Sequence, residues 1–135
     1  MSIMRDIRAA LEARAITASG FPAIRSYDGF PATRTTANFA MMTLIPTGQR
    51  DASLGSSLTL HQGLFLITVY TQSGGGAGAL DDLSEAIRDV FTTDVTLTSG
   101  DASVRIRYAE RGPTENEEDW IRIQVSVSWF CHEAT

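Results

Sequence analysis

Two hydrophobic spacings alternate along this chain. Ile3, Ile7, Ala10 and Leu11, and later Leu80, Leu83, Ile87, Val90 and Phe91, recur at the three-and-four interval of a helix that buries one stripe. The first set predicts a helix over residues 3–18, with Ser2 as N-cap and Ser19, Gly20 and Pro22 as its stop. The second predicts a helix over 80–91, where Asp81 and Asp82 in the first turn offset the positive end of the helix dipole.

Elsewhere the interval is two, the signature of strands. The pattern is cleanest over 120–130, where Ile121, Ile123, Val125, Val127 and Trp129 share one face and Arg122, Gln124, Ser126 and Ser128 the other. Residues 63–71 read as a central strand because both faces are largely apolar: Leu64, Leu66 and Tyr70 on one, interrupted by Thr68, and Phe65, Ile67 and Val69 on the other. Such a strand is covered on both sides, by helices or by another subunit. Residues 38–45 form a further strand ended by Pro46, Thr47 and Gly48, and 21–27 a short edge strand ended by Asp28, Gly29 and Pro31. Residues 95–98 and 102–110 make a hairpin across Ser99-Gly100-Asp101, with Val104, Ile106 and Tyr108 on one side and Arg105 and Arg107 on the other. Two stretches read as polar connections: 49–61, a loop around Gly55 in which Leu58 and Leu60 are candidates to start the next strand, and 111–119.

This order predicts one α+β domain over residues 1–135, a mainly antiparallel sheet with both amphipathic helices packed on one face. Its 135 residues suffice for one real core. The sheet's second face keeps enough apolar and mixed residues to serve as a contact surface.

Charge narrows the partners. Eleven basic against 16 acidic residues give a formal charge of -5, which disfavours nucleic acid or an anionic membrane as a specific ligand. No apolar run reaches the roughly 20 residues of a membrane span, and the first helix carries Arg5, Asp6, Arg8, Glu12 and Arg14, unlike a secretory signal. The expectation is a protein that works where it is made. Every basic residue is arginine, which fits either genomic base composition or the multidentate contacts of protein interfaces.

Catalytic chemistry finds little support. Cys131 is the sole cysteine and His61 and His132 the sole histidines, so soft metal ligands are nearly lacking and no intramolecular disulfide forms. Cys131 and His132 are neighbours on a strand and project apart, and His61 reads as a loop or interface residue rather than a general base. The glycine-rich SGGGAG at 73–78 lacks the lysine of a phosphate loop and the spacing of a dinucleotide fingerprint, leaving a flexible strand-to-helix connection, with anion binding at the following helix N-terminus as the lesser reading. Asp81-Asp82 and the acidic run Glu115, Glu117, Glu118 and Asp119 match no metal-ligand pattern. We therefore expect no enzyme activity, no cofactor and no bound metal.

Interface candidates are clearer. Arg105 and Arg107 are positioned to clamp an anion, form intersubunit salt bridges or stay solvated, and Arg122 adds a third arginine to a strand face. Trp120 and Phe130 are the aromatic contact candidates, whereas Trp129 belongs to the core face.

The succession of segments resembles a family of phage and prophage proteins with a tail-terminator fold. The likeness runs through IRAALEARAI (7–16), MMTLIPTG (41–48), HQGLFLITVYTQSGGGAGAL (61–80), SEAIRDVF (84–91), TLTSGDASVRI (96–106) and DWIRIQVSVSWF (119–130). RSYDGFPATRTTA at 25–37 departs from the family's early loop, so no partner is assigned to it. The resemblance implies a structural role: a subunit that self-associates into a ring, typically a hexamer, caps the tail tube protein and prepares it for head-tail connector proteins. DNA passes through such a ring without specific binding. It implies a place in the virion tail or neck, reached from the host cytoplasm during assembly. A neck or head-completion adaptor is the near alternative, and a small ligand-binding protein or enzyme the distant one.

Overall fold

In a computed structural model, residues 2–22, 24–27, 38–51, 58–72, 77–100, 102–117 and 120–134 are described. Helix α1 spans Ile3–Ala15, with the Ser2 hydroxyl accepting from the Arg5 N–H at 3.4 Å. It ends three residues before the expected stop, because the chain tightens into turn bonds from Thr17 N–H to the Arg14 carbonyl and from Ala18 N–H to the Ala15 carbonyl. Helix α2 spans Gly78–Val90. The Arg14 side chain donates to the Val90 carbonyl at 2.7 Å, joining the C-terminal ends of the two helices.

Among the described residues, seven strands form one sheet: β1 (Ile24–Tyr27), β2 (Phe39–Asp51), β3 (Leu58–Gln72), β4 (Thr96–Ser99), β5 (Ala102–Arg111), β6 (Glu115–Glu117) and β7 (Trp120–Ala134). The order is β1-β2-β3-β7-β5-β4, with β6 also paired to β7, and every pairing except β1 with β2 is antiparallel. This is the expected mixed α+β architecture. β3 and β7 lie at its centre.

Both helices pack on one face, where Ile7, Leu11, Leu80 and Ile87 meet Phe65, Ile67, Val69, Ile123, Val125, Val127 and Trp129 in a single buried cluster. Among the described residues, no helix is long and apolar enough to cross a membrane.

The sheet is longer than its apolar pattern. β3 begins at Leu58, where Leu58 and Leu60 are the expected strand start, whereas Gln49, Arg50 and Asp51, expected in a polar loop, continue β2, with Gln49 opposite His61, Arg50 opposite Leu60 and Asp51 opposite Thr59. Here β3 is also paired on its other side to β7, as in His61 with Cys131 and Thr59 with Glu133, so backbone bonding carries the ladder past the hydrophobic run. Residues 52–57 lie outside the described residues. The expected 111–119 connection likewise contains β6, whose Glu115 pairs with Arg122. Between β5 and β6, Gly112 donates to the Gln124 carbonyl at 2.7 Å, so Pro113 interrupts the edge without detaching it.

Two irregularities set the faces. A register shift between Pro46 and Gly48 coincides with Gly63 on the facing strand, where an added Cβ would strike the Ile45 carbonyl oxygen and come within 2.9 Å of Pro46 Cα and Trp129 Cζ2. Glycine is the residue that lets β2, β3 and the Trp129 ring approach so closely. A second shift, between Ile106 and Tyr108, overturns the expected alternation of β5: Tyr108 leaves the core face and is 46% exposed, and Ala109 packs against the core in its place.

Candidate assembly surface

The face turned away from the helices is built from alternate residues of the same strands. Met41, Thr43 and Ile45 of β2 stand opposite Thr68, Leu66 and Leu64 of β3, which in turn face Gln124, Ser126 and Ser128 of β7. Met41 and Ile45 are 40% and 37% exposed. The face therefore grades from apolar on β2 and β3 to polar on β7.

Arg105, Arg107 and Phe130 come together at one end of this face. The Arg107 guanidinium lies 4.8 Å and that of Arg105 5.9 Å from the Phe130 ring centroid. Arg107 Nη2 also donates to Gln62 Oε1 at 3.3 Å, and His132 meets the Phe130 ring edge to face at 5.8 Å. Asp94 lies near Arg105 as a counter-charge, at a loose 3.9 Å between two exposed groups. A shallow hollow of about 290 Å³ beside this cluster is lined by Thr47, Gln62, Leu64, Arg107 and Ser128, among others.

Trp120 and Arg122 lie elsewhere. Trp120 packs edge to face on Phe39 at 5.1 Å, and Phe39 stacks on Tyr70 at 4.4 Å. Arg122 Nη2 donates to Glu115 Oε2 at 2.7 Å. Ten residues of strand, about 33 Å, separate Trp120 from Phe130. The five candidates form two clusters at opposite ends of β7.

The reactive side chains have structural partners. His61, expected in a loop or at an interface, is a buried strand residue whose Nε2 meets Glu133 Oε1 at 2.9 Å, because the ladder extends past Gly63 and carries its side chain to the helix-covered face. Cys131 is buried on the same face, while His132 is exposed on the opposite one, as strand alternation requires. Burial raises the Cys131 thiol above its ordinary 9.0, with the Glu133 charge adding to the rise and a backbone bond from Ser103 opposing it. A thiol held protonated in this way is a poor nucleophile. Asp81 bonds Arg111 Nη1 at 2.6 Å in addition to its place in the first turn of α2. The anion-binding reading of SGGGAG falls mostly outside the described residues, since 73–76 are not among them; at Ala77, the N-cap of α2, no side-chain cap bond forms.

No hydrophobic or charge pattern along the chain points to the groove of about 510 Å³ between the end of α2 and β5, lined by Glu85, Arg88, Asp89, Phe91, Thr92, Thr93, Tyr108 and Ala109. It depends on the β5 register shift that turns Tyr108 outward, and a regular alternation hides that shift. Among the described residues, no cluster of three or more metal-binding side chains forms.

The model of a family described as phage tail terminator protein matches residues 6–129. The chain belongs to the phage tail terminator family. It is a structural protein of that family, and the match spans all of α2, α1 from its fourth residue and the sheet up to Trp129 of β7. Solved structures share this terminator fold end to end. One superposes with a TM-score of 0.77 at 21% identity, covering 97% of this chain and 96% of its own. Another, from the virion of a native gene transfer agent particle, superposes with a TM-score of 0.66 at 17% identity, with 98% of each chain covered. No curated protein matches the chain in sequence.

Proposed function

We propose that this tail-terminator-family protein acts as one domain that assembles into a ring, typically of six copies, caps the completed tail tube and readies it for the connector proteins of the head. The observation that carries the reading is the family match over 6–129, joined to a sheet that packs both helices on one face and keeps Met41, Ile45, Phe130 and two arginines accessible on the other. A ring closed by rotation needs two different complementary surfaces on each subunit, and a two-faced sheet supplies distinct sides. The net charge of -5 suits a channel through which DNA passes without adhering. The protein would assemble in the host cytoplasm and reside at the tail end or neck of the virion.

Electron microscopy of tails assembled with and without the protein tests this. Uniform tails ending in a small ring only when the protein is present are the expected result. Tails of normal length in its absence, with the protein bound instead to isolated heads, would move it to a head-completion adaptor.

A further inference from the structure

Two oppositely charged features remain without a role in the fold. The first is the cluster of Arg105, Arg107 and Phe130, an aromatic ring flanked by two cations on the sheet face away from the helices. The second is the outer side of α2, where Asp82, Glu85 and Asp89 are all exposed and recur at the spacing that puts them on one helix face. Glu85 and Asp89 also form a wall of the groove of about 510 Å³ that Tyr108 opens beside α2; Arg88 lines it too, its Nε donating to the Ala109 carbonyl at 3.2 Å, and two carboxylates against one guanidinium leave the wall net negative. Because α2 packs on one face of the sheet and Phe130 lies on the other, the two features point to different sides of the subunit and cannot satisfy each other within it.

We propose that they satisfy each other between copies: the Arg105–Phe130–Arg107 cluster of one subunit docks into the acidic groove beside α2 of the next. The occupant of the groove is thus a second copy of this chain. The complementarity is chemical as well as electrostatic. Phe130 offers an apolar body for the exposed ring of Tyr108, while the guanidinium forks meet the Glu85 and Asp89 carboxylates bidentately. A contact between different patches repeats head to tail, which either closes a ring or runs on as a filament. This assignment rests on the ring reading and supplies its contact.

The test uses the full-length chain in two charge-reversed forms, R105E/R107E and E85R/D89R, followed by native mass spectrometry and microscopy of capped tails. Each variant alone should keep the wild-type circular dichroism spectrum and lose at least about tenfold in assembly affinity, since like charges face each other across the joint. Mixing the two variants should restore assembly, because in an alternating ring each joint pairs either a reversed patch with a reversed groove or a wild-type patch with a wild-type groove. If both variants assemble as the wild type does, or if mixing restores nothing, this contact is overturned while the ring reading stands. If the wild type itself neither assembles nor caps tails, the ring reading fails and takes the contact with it.

Discussion

On β7, Ile121, Ile123, Val125, Val127, Trp129 and Cys131 are all buried, while Arg122, Gln124, Ser126, Ser128, Phe130 and His132, each one residue away, are partly or fully exposed. The two sets share one backbone and one ladder, so hydrogen bonding does not distinguish them. Helix packing does. The face under α1 and α2 is apolar and closely fitted, and a change of volume there has nowhere to relax. The opposite face tolerates serine, glutamine and arginine because water or a partner satisfies them. Stability is concentrated on one side of the strand and recognition is free to evolve on the other.

Neighbouring residues should break this contrast most sharply. Trp129→Ala empties the largest fully buried side chain and should destabilise by about 3–5 kcal/mol, whereas Ser128→Ala should change stability by no more than about 0.5 kcal/mol. Urea denaturation of both variants checks the pair, and equal losses would show that the uncovered face carries folding energy too.

A smaller loss is expected where the two faces meet the bulge of β2. Gly63→Ala places a methyl group against the Ile45 carbonyl, Pro46 and the Trp129 ring, and should cost about 1–3 kcal/mol through overpacking. The backbone atoms in that contact cannot swing aside as a flexible side chain does. A thermal midpoint unchanged from wild type would show that β2 shifts without resistance.

The smallest effect should appear only in alkali. Cys131 has its thiol raised in the folded protein, so above the ordinary value of 9.0 the unfolded chain gives up a proton that the folded chain keeps. The folded state then binds more protons than the unfolded one, and stability falls as pH climbs through that range. Thermal melts from pH 7 to 10 should show this decline, and Cys131→Ala should flatten it. An identical slope in the variant would assign the loss to other groups.

Much of this was legible from residue order. The alternation of 120–130 announced a half-buried strand, and the stripe Leu80, Leu83, Ile87 and Phe91 announced the helix that covers it. Trp129 falls in phase with Ile121 through Val127, which places it in the core, and it is fully buried. The reading failed where pattern and pairing part company. Gln49, Arg50 and Asp51 are polar but belong to a strand, since their partners on β3 are held in place by β7. His61 looked like a loop residue for the same reason. Tyr108 looked like a core residue until one extra position in β5 turned it outward.

The sequence by itself determined which elements form, which stripe of each is apolar, and that the chain resembles a terminator subunit, because these depend on local periodicity and on the succession of segments. Only the tertiary structure decided that Arg105 and Arg107 share Phe130, that Trp120 and Arg122 belong to a separate cluster, and that α2 and Tyr108 frame an acidic groove. Those outcomes hang on strand register. A register slip of one residue exchanges the faces of a strand while leaving its hydrophobic period unchanged.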